Sequence, residues 1–259
     1  MTEDRRVRPS AHDIYESVKH DAAEELARPM PALAFSGLLA GATVGFGVLA
    51  SAAATALVGN IPAHELIAAL FYPIGFIAAI VGREQLFTEN TLYPVTLVLD
   101  ERRHLVRTLR LWGVVFAANL IGALAFAAVA VLSGAVPGTI EHALTDLGRS
   151  LSSGGFAANF WSGVLAGWLL ALVAWVIESS DHVIGQVALI WVLTFVIGVA
   201  SFDHCVSTTG AVLSAVIDGK LTFGHFLGWL APVTLGNVVG GVMIVAALNY
   251  GQVRAGEDD

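Results

Sequence analysis

Six mostly apolar stretches alternate along this chain with short polar segments, and two of the six are themselves interrupted by polar residues. Span 1 covers about 32–58 and ends at the turn Gly59-Asn60-Ile61-Pro62. Span 2 begins near His64, breaks at Leu86-Phe87-Thr88-Glu89-Asn90 and resumes through Val95 to Leu99. Span 3 covers about 111–133 and span 4 about 156–177, with a polar connection at 134–155 between them. Span 5 runs from Val183 to a second break at Ser201-Phe202-Asp203-His204-Cys205 and continues to Ile217, and span 6 covers about 223–249. Runs of roughly 20 apolar residues cross a hydrocarbon core of about 30 Å as helices. Hydrocarbon cannot satisfy free backbone N–H and C=O groups, so a break inside such a span implies a cavity lined by protein or water. One break in each half of the chain points to a transport pathway near the bilayer midplane.

The spacing Ile14, Val18, Ala22, Leu26 among acidic residues predicts an amphipathic helix within 1–31, either at the membrane surface or as a solvated leader. Residues 1–31 are thus read as a cytoplasmic N-terminal segment, 32–250 as the transmembrane domain, and 251–259 as a cytoplasmic acidic tail. Composition agrees with a membrane protein: 56% of residues are hydrophobic and 13% charged, about half the charged share of a soluble domain. The first 30 residues are polar and carry no apolar core of a signal peptide. With both termini inside, Arg5, Arg6, Arg8, Lys19, Arg28, Arg102, Arg103, Arg107, Arg110 and Arg254 face the cytoplasm. Only Arg149 and Lys220 face outward, a bias that sets the orientation.

The halves repeat in order. Ser36-Gly37-Leu38-Leu39-Ala40-Gly41 in span 1 matches Ser162-Gly163-Val164-Leu165-Ala166-Gly167 in span 4. Asn119-Leu120-Ile121-Gly122 in span 3 matches Asn237-Val238-Val239-Gly240 in span 6. Three spans per half make the second copy enter from the opposite side, an inverted 3+3 repeat with the pathway at its interface. Glycines at helical spacing predict close backbone packing.

His204 stands out because an ionisable residue inside a span is costly and is usually kept for function. It reads either as an anion-binding and proton-lending group or as a neutral core histidine bonded to a carbonyl. Thr88 reads as a hydroxyl donor to an anion or imidazole, or as one bonding its own backbone. Asp203 and Glu89 are expected to cap the half-helix starts, with direct contact to a substrate as the alternative. Arg83 and Glu84, deep in span 2, are expected to join an ion-pair network within the protein or between subunits, with Asp203 or Glu89 as candidate partners and direct anion binding by Arg83 as the alternative. Tyr72, Phe76, Phe87 and Phe202 suit hydrophobic constrictions or plain packing. The single cysteine, Cys205, excludes an internal disulfide and a multi-cysteine metal site. The other histidines lack metal-ligand spacing, and no phosphate loop, nucleophile elbow or redox motif is present. The expectation is therefore no enzyme, no metal and no cofactor, and the dispersed charge of −8 suggests no nucleic-acid partner.

Four motifs together resemble the formate/nitrite transporter family, over about residues 10 to 253. They are Gly37-Leu-Leu-Ala-Gly-Ala, Leu86-Phe87-Thr88-Glu89-Asn90-Thr91, Phe202-Asp203-His204 and Gly236-Asn237-x-x-Gly240-Gly241. The Gly82-Arg83…Leu-Phe-Thr-Glu-Asn version resembles the family's YfdC-type branch. The resemblance implies an aquaporin-like fold in a homopentamer, with one pore per protomer in the lipid bilayer of a bacterial inner membrane. It implies His204 as the central pore histidine, Thr88 facing it, Leu86, Phe87, Tyr72 and Phe76 at or near two hydrophobic slits, and Ile197 at a position the family often fills with Phe. Phe202 is counted with these pathway residues from its place in the second break, and Asn90 with the polar support of the first. The implied cargo is a small monovalent anion or its weak acid, moved passively or with a proton exchanged at or near His204. Three departures bear on the cargo. No lysine lies between 135 and 160, Gly167 replaces a span-4 asparagine, and Gln85 replaces an acid. The other classes in play are an aquaporin-like pore for a neutral solute and a closed membrane scaffold.

Overall fold

A computed structural model describes residues 9–59 and 61–257, all helical or irregular, with no strand among the described residues. The order is α1 (Ala11–Ala27), α2 (Met30–Thr43), α3 (Gly45–Val58), α4 (His64–Ala69), α5 (Pro73–Val81), α6 (Tyr93–Glu101) and α7 (Leu105–Leu132). It continues with α8 (Gly138–Leu151), α9 (Phe156–Ile177), α10 (Val183–Val199), α11 (Ser207–Ile217), α12 (Phe223–Val239) and α13 (Ala247–Glu257). A three-residue 3₁₀ turn at Glu89–Thr91 precedes α6, and a π-helical segment, Gly240–Ala246, joins α12 to α13. Among the described residues five stretches are long and apolar enough to span a bilayer: Met30–Val58, His64–Val81, Leu105–Leu132, Phe156–Ile177 and Phe223–Gly256. Where the sequence pattern predicts span 5, the chain forms two shorter apolar helices, α10 and α11.

Several boundaries differ from the sequence pattern. Span 1 divides at Val44, where α2 ends and α3 begins. The first break extends over 82–92 and the second over 200–206, because both flanking helices stop early. The polar connection 134–155 holds α8, whose Leu144, Thr145 and Gly148 face is buried against α11. A Cβ at Gly148 would sit 2.1 Å from the Ala211 carbonyl oxygen, so only glycine permits that approach. Residues 247–257, expected to pass into a tail after span 6, remain helical in α13. Arg5, Arg6, Arg8 and the last two acidic residues lie outside the described residues.

The amphipathic helix α1 begins with a reciprocal capping box between Ser10 and Asp13. Its apolar face is covered by protein. Tyr15 and Val18 are buried in a cluster with Val95 of α6 and Val253 of α13. Asp100, its side chain 9% exposed, accepts from Lys19 of α1 at 2.9 Å and from Arg254 of α13. An amphipathic stripe carries no information about whether lipid or protein will cover it, and here protein does.

The core is organised around two close helix pairs, α2 with α7 and α9 with α12. In the first, a Cβ at Gly41 would lie 2.0 Å from the Asn119 carbonyl oxygen; in the second, one at Gly167 would lie 2.2 Å from that of Asn237. Gly167 therefore fills a packing role between helices. It does not leave an open position in the pathway.

Two measurements follow from this architecture. Gly167→Val is expected to lower the thermal midpoint of the purified protein in detergent, by the equivalent of about 1–3 kcal/mol of overpacking or more. Gly113→Ala, where an added Cβ meets nothing within 4 Å, leaves it unchanged. Asp100→Asn removes the charge shared by Lys19 and Arg254 and increases proteolytic cleavage in α1, while the remaining helices stay protected.

Candidate functional site

The two breaks are built the same way. Gln85 N–H donates to Ser36 Oγ at 3.1 Å, and Asp203 N–H donates to Ser162 Oγ at 2.8 Å. Phe87 N–H donates to Asn119 Oδ1 at 2.9 Å, and Cys205 N–H donates to Asn237 Oδ1 at 2.8 Å. The Asn119 amide in turn donates to the Gly37 and Gln85 carbonyls, and the Asn237 amide to those of Gly163 and Asp203. Each asparagine thus closes two backbone groups that the break leaves open and ties them to a carbonyl of the neighbouring helix, Gly37 of α2 or Gly163 of α9. Arg83 and Ser201 occupy the same place in the two breaks, each in the left-handed region at φ 57° and 52°.

This correspondence pairs His204 with Leu86, so the two breaks share a backbone but not a chemistry. His204 is fully buried and bonds Thr88 Oγ1 through Nε2 at 2.7 Å. Its Nδ1 accepts from the backbone N–H groups of Val206 at 3.3 Å and Ser207 at 3.1 Å. Two donors aimed at Nδ1 leave no room for a proton there, which assigns the hydrogen to Nε2 and makes the ring neutral. The imidazole therefore donates to Thr88, and the Thr88 hydroxyl hydrogen takes no part in that bond. Thr91, not Thr88, bonds its own backbone, donating to the Thr88 carbonyl at 2.6 Å.

His204 also corrects an expectation about capping. Neither α6 nor α11 receives a side-chain cap from Glu89 or Asp203. At α11 the imidazole itself receives the first N–H groups, while Asp203 faces Trp229 Nε1 at 3.4 Å. Phe76 packs edge-on against the His204 ring with centroids 5.2 Å apart, and Tyr72 packs on Phe76 while bonding Ser207 Oγ at 2.7 Å. Leu86 is fully buried, and Phe87 packs against Trp112 and Phe116 of α7.

A cavity lies on each side of the Thr88–His204 pair. One, of about 330 Å³ on the α8 side, is lined by Tyr72, Ile197, Phe202 and Thr208 among others. The other, of about 440 Å³ beneath α1, is lined by Gln85, Glu89, Asn90, Arg83 and Glu84, with Asp21 and Glu25 of α1 and Glu178 and Asp181 after α9. Helix α10 runs from one to the other. Gln186 lines the α1-side cavity and Ile197 the α8-side cavity, about 16 Å apart at the helical rise. Neither Thr88 nor His204 lines either cavity, so the pair occupies the closed segment between them.

Arg83 lies at the α1-side mouth rather than deep in a span, because α5 ends at Val81. Its side chain is 81% exposed and pairs with Asp21 at 3.2 Å, not with Asp203 or Glu89. Glu84 makes no ion pair among the described residues, and its Oε2 is buried without a hydrogen-bond partner. Asn90 donates to Gln85 Oε1 and to the Leu86 carbonyl, bracing the first break. Among the described residues the α1-side cavity is strongly acidic, with six carboxylates and one arginine. Burial raises the Glu25 and Glu178 carboxyls above the ordinary carboxylate range, against the lowering pull of Arg28 and Tyr93 respectively. On the α8 side, Lys220 contacts Thr145 of α8 but is taken up by Asp146 and Asp218.

Sequence reasoning did not find Ser36, Ser162, Asn119 and Asn237 as site residues. The available signal was an amide at the same place in two apolar spans. It also missed the acids of α1 and of the α9–α10 connection, which lie far from the breaks in sequence.

The sequence model described as "Formate/nitrite transporter" matches residues 12–251. The chain is 28% identical over 256 residues to "Inner membrane protein YfdC" of Escherichia coli (strain K12), covering 96% of this chain and 81% of that protein. It is 30% identical over 243 residues to the "Probable formate transporter" of Methanothermobacter thermautotrophicus, covering 86% and 89%. Among solved structures it superposes on an "FNT family ion channel" with TM-score 0.83, 19% identity and coverage of 93% and 99%. It superposes on a "Pentameric formate channel with formate bound" with TM-score 0.72, 18% identity and coverage of 92% and 99%. A helical channel fold carried on a duplicated pair of braced breaks, and a match over nearly the whole length, agree: this chain belongs to the formate/nitrite transporter family of multi-pass membrane transporters and channels.

Proposed function

We propose that each protomer conducts a small monovalent anion, or its weak acid, between the two cavities past Thr88 and His204. The observation that carries this reading is the Nε2–H to Thr88 bond, placed alone between two cavities that approach it from opposite ends of α10. A neutral imidazole that donates to Thr88 turns the Thr88 hydroxyl into a directed donor. A cargo with an acceptor oxygen exchanges water for that donor at the narrowest point. Tyr72, Phe76, Ile197 and Phe202 on one side, and Leu86 and Phe87 near the other, exclude hydrated ions by their bulk.

The architecture we propose is six spans in an inverted 3+3 repeat, with spans 2 and 5 broken, both termini and α1 in the cytoplasm, and the bilayer a bacterial inner membrane. The basic residues support this orientation, and the name of the Escherichia coli relative supports the membrane. We propose a homopentamer by analogy with the pentameric formate channel, each protomer carrying its own pathway. The exposed apolar faces, among them Phe35, Leu57, Val106 and Ile184, are available to lipid and to neighbouring copies. The second reading, a pore for a neutral solute, is favoured by one observation, the acidic cavity beneath α1.

Formate flux into proteoliposomes tests these readings. Replacing one partner of a buried hydrogen bond costs about 1–3 kcal/mol, so His204→Ala and Thr88→Val each reduce formate flux roughly 5- to 150-fold, while Thr88→Ser retains it. Flux that is equal in wild type and His204→Ala, and that follows water permeability and no anion, removes the anion reading. Averaged electron micrographs of the purified protein are expected to show five-fold rings; a monomer or tetramer would contradict the assembly.

A further inference from the structure

His204 is central to the pathway, yet its surroundings keep it from supplying a proton. Its Nδ1 already accepts two backbone N–H groups, and a second ring proton would face both donors and uncap α11. A weak acid crossing this protein must therefore exchange its proton elsewhere. On the α1 side, one residue stands immediately beside Thr88 and also reaches solvent. Glu89 is 8% exposed and lines the cavity, and no side chain among the described residues donates a hydrogen bond to its carboxylate.

The groups around it are set for sharing protons. Asp21 and Glu25 face the cavity from α1, Arg83 and Glu84 from the first break, Tyr93 from α6, and Glu178 and Asp181 from the α9–α10 connection. Only one of these is a cation, and it is committed to Asp21. Like charges confined together cannot all remain ionised, so such a cluster holds protons that dispersed carboxylates would release.

We infer that Glu89 is the group that exchanges a proton with the permeating weak acid at the α1-side mouth, while His204 stays neutral throughout. This rests on the reading of the pathway as one for a small anion or its acid. In the outward step the O–H bond of the Glu89 carboxyl breaks and an O–H bond forms on the cargo carboxylate. The neutral acid moves on to Thr88, and the Glu89 carboxylate regains a proton from water in the cavity. In the inward step the arriving acid gives its proton to Glu89 and leaves as the anion, repelled by the surrounding carboxylates. The cargo class is then the weak acid whose anion can accept a proton. Anions of strong acids are rejected, because the acidic cavity repels them and Glu89 cannot neutralise them.

The test is the initial rate of formate and of chloride flux into proteoliposomes as a function of pH, for wild type, Glu89→Gln and Glu178→Gln. Wild type carries formate at a rate that rises as pH falls, and carries no chloride above the lipid background. Glu89→Gln loses on the order of tenfold or more of formate flux, together with the protein-dependent part of its pH profile. Glu178→Gln removes a negative neighbour, so a proton is held less firmly and the midpoint of the profile moves to lower pH. No formate flux in wild type overturns the anion or weak-acid reading itself. Formate flux in wild type with an unchanged profile in Glu89→Gln overturns the inference alone. Should Glu89→Gln fail to assemble, an unmoved midpoint in Glu178→Gln overturns it equally.

Discussion

Two asparagine side chains carry the constraint on which this structure depends. A helix broken inside a membrane span exposes backbone groups that lipid cannot satisfy, each worth several kcal/mol if left bare. Asn119 and Asn237 each accept one N–H and donate to two carbonyls, and Ser36 and Ser162 take a further N–H each. These bonds need the helix pairs α2–α7 and α9–α12 at backbone contact, which is what Gly41 and Gly167 permit. Packing, bracing and the two breaks are one device, present twice.

On that shared backbone the two halves diverge in chemistry. The place held by Leu86 in the first half holds His204 in the second. The imidazole replaces a carboxylate as the cap of α11 and by doing so fixes its own tautomer. A residue that looks like a titrating switch in the sequence is held by the fold as a neutral donor. The titratable groups instead gather beneath α1, where Glu89, Glu178 and Glu25 line one cavity. Helix α1 closes that cavity from above and is fastened through Asp100, so the acidic mouth is partly made by the N-terminal segment.

The spans and the two breaks were legible in the sequence because apolar length and its interruption are local signals. The repeated Ser-Gly and Asn-Gly motifs also gave the duplication, since the same contact demands the same residues in both halves. Helix α8 was not legible: its residues are polar enough to read as a loop, and its buried face depends on Gly148 meeting α11. Arg83 was misplaced because hydropathy runs through it, while the backbone turns out of α5 just before it. The role of His204 could not be read from its type alone, because its tautomer is set by Val206 and Ser207 N–H groups that exist only once α11 begins there.

In the proposed pathway two cavities of opposite access meet at a closed Thr88–His204 segment. Substituted-cysteine labelling in a Cys205→Ser background addresses it most directly, with a charged thiol reagent applied to right-side-out and inverted membrane vesicles. Cysteine at Ile197 is expected to react from the α8 face only, and cysteine at Gln85 from the α1 face only. Reaction of both positions from the same face, or of neither from any face, would contradict the account.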